Sequence, residues 1–307
     1  MTTWSAALGV ALDEMFGEPP ARWHPVARFG ALMESVERRI YVDQRLAGVE
    51  HLAIGIGVAL ATGTALRRLL GSPLATTAAT LVCVAGSMLD DEALAIAAFL
   101  EAGDLPDARA RLSSLVGRST ADLDRQQVSR AVIESVAENC VDAVTAPIFW
   151  ATLGGAPAVL AHRAVNTMDA MVGHPSPRYG KFGWASARLD DVANYVPARM
   201  SALAVAAVRP RSAGRVGRAV RRDAGRHPSP NGGIVEAAFA GALDVQLGGV
   251  NQYGDASENR GVLGDGRPAD CHDIRRAVRL RRDCTAAVAT GLMAGSVGWR
   301  IARRGSR

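Results

Sequence analysis

The stretch "ESVAENCVDAVTAP", residues 134–147, sets three acids and an amide against an uncharged run that continues to Ala161. In a helix Glu134, Glu138 and Asp142 recur at i, i+4 and i+8 and stack along one face. Like charges at that spacing repel. A helix tolerates such a stripe when the face is solvated, when arginines answer it, or when a divalent cation and its phosphate ligand sit there. Asn139 supplies a further oxygen, and Arg125 and Arg130 supply the arginines of the simpler solvated reading. The apolar run beside the stripe weighs equally for the other side, because ionisable groups at membrane depth face a cavity or a partner.

Working outward, further uncharged runs occupy residues 52–66, 74–89, 143–161, 196–208 and 284–299, the fourth interrupted by Arg199 near its start. Each is near or below the roughly 17 to 25 residues that a spanning helix needs. Several such runs in one chain are unusual outside a membrane; the soluble alternative is a bundle with fully buried core helices. The expected fold is therefore all-α: a polytopic helical integral membrane protein, a single membrane-embedded domain over residues 1–307, with short or broken transmembrane helices. Polar helical segments at 90–142, 162–195 and 209–283 join them. Pro147, Gly154, Gly155 and Pro157 interrupt the longest run, so a broken or re-entrant segment is expected there. If every run crossed, segments 90–142 and 162–195 would face opposite sides. Both carry residues of one site, so at least one run is expected not to span, or the polar motifs to dip inward and meet.

Composition agrees with this reading. Of the 307 residues 49% are apolar and 5% aromatic, and the apolar mass is Ala, Leu, Val and Gly, which suits close helix packing. Cys83, Cys140, Cys271 and Cys284 are widely spaced with no CxxC pair, against a zinc knuckle or a disulfide framework. The net charge of +5 comes from arginine, Lys181 being the only lysine. The N-terminal stretch lacks a basic region, and Asp13 and Glu14 interrupt its apolar residues, so no cleaved signal is expected. Arg211, Arg215, Arg218 and Arg222 share a helical face in segment 209–226, which reads as a cytoplasmic anchor on anionic lipid. No aromatic platform accompanies them, so nucleic acid is not an expected partner.

Three more clusters carry candidate chemistry. Residues 162–199 place Arg163, Asn166 and Asp169 on one side of a helix, then a turn-rich loop around Lys181, then Asp190, Asp191 and Asn194. The loop is no Walker A motif, since Phe182 stands where Ser or Thr would bind magnesium. In residues 227–254, His227 and Asn231 precede a glycine pair and a helix starting near Ile234, whose backbone N–H groups could receive an anion. A start capped by Asn231 or Ser229 is the plainer account. Near the N-terminus, Asp13, Glu18, Trp23, His24 and Pro25 share a loop, and a lone His beside Trp is more often packed than catalytic.

Together "LDEMFGEPPARWHPVARFG", "GRSTADLDRQQVSRAVIESVAENCVDAVTAPIFW", "AVNTMDAMVGHPSPRYGKFGWASARLDDVANYVPARM" and "HPSPNGGIVEAAFAGALDVQLGGVNQYG" resemble the CobD/CbiB family of cobalamin biosynthesis. The resemblance runs in order from Leu8 or so to about Asp255. It implies a multi-pass enzyme of the cell membrane with a cytoplasmic active site. Such a ligase joins (R)-1-amino-2-propanol, or its O-phosphate, to the free carboxylate of adenosylcobyric acid by an amide bond, using ATP and Mg2+. Other cobalamin-assembly enzymes at the bilayer are implied partners. Carboxylate activation needs a metal-bound nucleotide, cations on its phosphates and a base for the ammonium. Glu134, Glu138 and Asp142 are the expected magnesium ligands; Arg163, Lys181 and Arg118 the expected phosphate partners, with Asn166 and Asn231 also binding substrate. Asp169, Asp190 or Asp191 would position or deprotonate the amine. The rival class is a magnesium-dependent intramembrane transferase releasing diphosphate from a prenyl or alcohol donor, which ought to carry paired aspartate motifs absent near the runs.

Overall fold

The computed structural model describes residues 2–18, 24–117, 119–174, 176–253 and 256–305. In chain order these form α1 (Thr2–Phe16), α2 (Pro25–Ile40), α3 (Arg45–Cys83), α4 (Gly86–Glu101), α5 (Leu105–Leu112), α6 (Arg125–Cys140), α7 (Ala146–Met168), α8 (Trp184–Val208), α9 (Ala213–Asp223) and α10 (Gly232–Leu243). Strands β1 (Val245–Tyr253), β2 (Ala256–Leu263) and β3 (Arg267–Pro268) follow, then α11 (Cys271–Gly305). Two π turns, Val141–Thr145 and Asp169–Gly173, border α7.

Local sequence explains the helix starts. His24 accepts the Val26 N–H through Nδ1 ahead of Pro25, and Asp124 and Gln127 form a reciprocal capping box on α6. Breaks are equally local. Gly71 sits at φ 75° before Pro73 inside α3, and Gly155 at φ 66° before Pro157 inside α7, so the expected interruption of run 143–161 is present.

The chain divides into two compact units, residues 1–85 with 142–194 and 289–307, and residues 86–141 with 195–288. In the first, α3 packs along α7, and both pack on α1. Ala6, Ala75, Ala79, Ala151, Ala156 and Val159 form one core; Met33, Leu52, Ala164, Val165 and Met168 form another. Small residues let the backbones approach: a Cβ on Gly63 would stand 2.5 Å from the Pro157 Cα. In the second unit α10 packs on α9 and α6, buried along nearly its whole length.

The expectation of an all-α fold is corrected here. The chain is about 80% helical, but β2-β1-β3 make a small sheet, antiparallel between β1 and β2 and parallel between β1 and β3. Gly248 and Gly249, at φ 74° and 90°, bulge β1 and break the alternation that marks a strand in sequence. Among the described residues, two helical stretches, 45–101 and 125–173, are long and apolar enough to cross a membrane by length and composition. Runs 52–66 and 74–89 fall in the first and 143–161 in the second; 196–208 and 284–299 do not meet that standard.

Gly63→Val should destabilise the detergent-solubilised protein by roughly 1–3 kcal/mol or more, read as a lower thermal midpoint, because both neighbours at Pro157 are backbone atoms. Gly57→Ala, two turns away with nothing within 4 Å of the added Cβ, should leave it unchanged or raise it.

Candidate functional site

The first unit holds a buried polar network where the end of α7 meets the start of α8. Asn194 is its centre. Its Nδ2 donates to Asp142 Oδ1 at 3.0 Å and to Asp190 Oδ2 at 2.9 Å. Carboxylates accept, so the amide's other end, Oδ1, must face the remaining partner, the His162 Nε2 at 2.8 Å. His162 therefore carries its proton on Nε2 and donates it. Its Nδ1 is left as a buried lone pair with no hydrogen bond among the described residues. Asn166 Nδ2 donates to Asp190 Oδ1 at 3.4 Å, and the Arg163 guanidinium donates to Asn166 Oδ1 at 3.4 Å. Three residues of helix separate Arg163 from Asn166, and four separate His162 from Asn166, which puts all of them on one face of α7.

Burial, reinforced by the neighbouring Asp169 carboxylate, pushes the Asp190 carboxyl up to about 7. Burial also raises Asp191, opposed by the Arg188 guanidinium 3.9 Å away. Asp169 begins the second π turn, and its carboxylate lies against Gly173 where a Cβ would stand. Arg163 also borders the N-terminal motif. Burial and the Asp13 carboxylate push Glu18 up to about 7, with Arg163 pulling the other way. His24 Nε2 lies 3.3 Å from Glu18 Oε2. The histidine that looked merely packed in sequence thus belongs to the surroundings of a site residue. Arg163 further lines an apolar cavity of about 270 Å³ walled by Phe29, Leu32, Val58 and Leu160.

The second unit holds another cluster. Glu134 Oε1 accepts the Gly248 N–H at 2.7 Å and lies 3.5 Å from Arg130 Nε. Glu138 Oε1 lies 3.4 Å from the Arg260 guanidinium. His227 Nε2 is 3.3 Å from Glu236 Oε1, both side chains buried. Ser229 Oγ accepts the Asn231 and Gly232 N–H groups, the capped start foreseen as the plainer account. Asn231 Oδ1 accepts from Arg199 at 3.2 Å.

The sequence-derived residues thus separate by partner. Arg163, Asn166, Asp190 and Asp142 join one network, with Asp169 and Asp191 beside it. Glu134 and Glu138 have partners of their own, the first on the β1 bulge and the second on Arg260. Lys181 is exposed and paired with Asp43 at 2.8 Å. Arg118 lies outside the described residues. Sequence reasoning passed over His162, Glu236 and Arg260. Glu236 had left a signal: it is the single charge in a twelve-residue apolar helix, a position that demands a partner.

Donor chemistry limits what the clusters can hold. The three carboxylates expected to bind magnesium each have a separate N–H partner, Gly248 on Glu134, Arg260 on Glu138 and Asn194 on Asp142, and Glu138 stands beside an imidazole, a ligand that magnesium does not favour. The first unit's network can hold a proton at Asp190 and an anion at Arg163.

A family profile described as CobD/Cbib protein matches residues 6–281. A "Cobalamin biosynthesis protein CobD" of Mycobacterium tuberculosis (strain H37Rv) is 48% identical over 288 residues, 92% of each chain. One of Pelobacter propionicus is 40% identical over 298 residues, again 92% of each. One of Klebsiella pneumoniae is 42% identical over 299 residues, covering 91% of this chain and 93% of its own. No solved structure matches.

Asn194→Asp should replace a bridging donor with a third carboxylate and cost roughly 1–3 kcal/mol at neutral pH. Crowded carboxyls hold their protons in the fold, so this penalty is full above their raised pKa and fades as pH falls toward about 4. Thermal melts of variant and parent should therefore converge as pH falls from about 7 toward about 4.

Proposed function

The chain belongs to the CobD/CbiB family of cobalamin biosynthesis, and on that premise we propose that it joins (R)-1-amino-2-propanol, or its O-phosphate, to the free carboxylate of adenosylcobyric acid by an amide bond made at the expense of ATP. It is then a carbon–nitrogen ligase. The observation that carries the reading is the pair of carboxylates bridged by Asn194, with Arg163 three residues of helix from Asn166.

An amide does not form from a free carboxylate and an ammonium without activation. A corrinoid carboxylate oxygen attacks a phosphorus of ATP and expels ADP or diphosphate. The amine nitrogen then attacks the acyl carbon, and phosphate or AMP leaves with the C–O bonding electrons. The ammonium must first lose a proton. Asp190 is suited to take it, since a carboxyl raised to about 7 is a stronger base than an ordinary aspartate and is still ionised in part at neutral pH. Asn194 and Asn166 hold that carboxylate, and Asp169 and Asp191 draw the cationic amine toward it. Arg163 offsets phosphate charge, and Lys181 and Arg118 are candidates for the same role by sequence. Magnesium accompanies the nucleotide's phosphates, and no step here is routed through it.

The protein acts within the cell membrane, crossing it more than once, with its site on the cytoplasmic side where ATP is. The apolar stretches 45–101 and 125–173 support the membrane location. Arg215 and Arg222 qualify the basic stripe as lipid anchor: Arg215 donates to the Gly241 carbonyl and Arg222 to Asp223 and Asp265, which leaves Arg211 and Arg218 exposed for headgroups.

Purified protein in detergent, given adenosylcobyric acid, ATP, magnesium and either amine, should yield the corrinoid amide by mass only with ATP. Asp190→Asn should lower kcat on the order of 100-fold or more while the protein stays folded in the membrane fraction. The parent's acid limb of kcat should lie near pH 7, since activity is lost as Asp190 takes up its proton. No amide with either amine from folded protein would overturn the reading.

A further inference from the structure

We propose that Glu138, His227 and Glu236 bind one first-row transition-metal dication, of the zinc or manganese class. Each offers one ligand atom, and the three atoms lie within 4.8 Å of one another. Three ligands about 2.1 Å from a tetrahedral ion stand about 3.4 Å apart. His227 Nε2 and Glu236 Oε1 are already at 3.3 Å, so only Glu138 has to close in.

A second observation points at a ligand independently of the acids. The His227 side chain is 1% exposed, and its Nε2 is buried with no hydrogen bond among the described residues. That atom faces into the cluster. Its Nδ1 lies 3.3 Å from the Ser229 carbonyl, which can accept an Nδ1–H and so leave the Nε2 lone pair free for an ion. A backbone carbonyl behind a histidine is the usual support of a metal-binding imidazole. The Ser229 N–H, 3.0 Å from the same Nδ1, favours the other tautomer when no ion is held.

The surroundings keep the ligands in reach. A Cβ on Gly232 would stand 3.1 Å from both Glu138 Oε1 and His227 Cε1, so the residue between them has no side chain. Glu138 is the ligand open to solvent, 36% exposed, which leaves a coordination position accessible on its side. Arg260 stands at that opening, 3.4 Å from Glu138, where it can pair with an anion on the ion. One imidazole with two carboxylates selects zinc or manganese over magnesium, which prefers oxygen alone. The proposal does not depend on the amide-forming reaction.

Full-length protein in detergent, stripped with chelator, would be titrated with zinc or manganese chloride under excess magnesium by calorimetry, and with cobalt chloride by visible absorption. One ion per chain is expected. Glu236→Gln, nearly isosteric, and His227→Gln should each weaken binding on the order of 100-fold and remove the cobalt absorption, with near-parental melting confirming the fold. His272→Ala, an exposed histidine, should change nothing. Absence of saturable binding in folded protein, displacement of the ion by magnesium, or undiminished binding in both variants would each overturn the proposal.

Discussion

Charge buried among apolar helices must find donors or acceptors inside the protein, and the arrangement of this molecule follows from how it meets that demand. An unpaired ion in such surroundings costs several kcal/mol, more than most helix contacts return. In the first unit a single amide, Asn194, answers two carboxylates and a histidine together. In the second, Asp90 is fully buried and receives the Arg281 guanidinium, also fully buried, with Arg282 at 2.6 Å. Asp273 takes Arg267 and Arg276, and Asp223 takes Arg222, Arg226 and the Gly264 N–H. Arginine suits this work because its fork engages both oxygens of a carboxylate and its charge survives burial. The arginine-rich composition therefore has a structural use beyond any contact with lipid.

Each unit keeps one group of residues apart from this stabilising pattern. Asp190 has neutral amide partners in place of an arginine, and burial, reinforced by its acidic neighbours, raises it against the pull of those amides. His227 faces Glu236 inside an apolar helix packing, with Arg260 on the outer acid, Glu138. Asp223 and Asp273, by contrast, are held low by their arginines. The contrast separates groups that hold the fold together from groups whose protons or lone pairs remain available for chemistry.

Much of the fold was legible because it is local. Prolines and positive-φ glycines act within one turn, so the break at Gly155 before Pro157 could be read from neighbouring residues, whereas the stretch read as one loop holds the end of α1 with Asp13 and the capped start of α2 at Pro25. The sheet was not legible, since the Gly248–Gly249 bulge removes the alternation that would have betrayed β1. The acidic triplet misled for a related reason. Regular i, i+4, i+8 spacing presumes an unbroken α-helix, whereas α6 ends at Cys140 and a π turn carries Asp142.

By itself the sequence determined the largely helical class, the broken apolar runs, the family through its long ordered motifs, and the Arg163–Asn166 and Asp190–Asn194 parts of the first unit's network, because i+3 and i+4 spacing holds within an unbroken helix. Only the tertiary structure decided the partners: Asn194 between Asp142 and Asp190, Gly248 on Glu134, Glu236 facing His227. Those pairs lie 52, 4, 114 and 9 residues apart along the chain. For the long-range pairs, helical periodicity says which face a side chain leaves from but not what meets it, and what meets it sets whether a carboxylate is neutralised, raised or left to bind an ion.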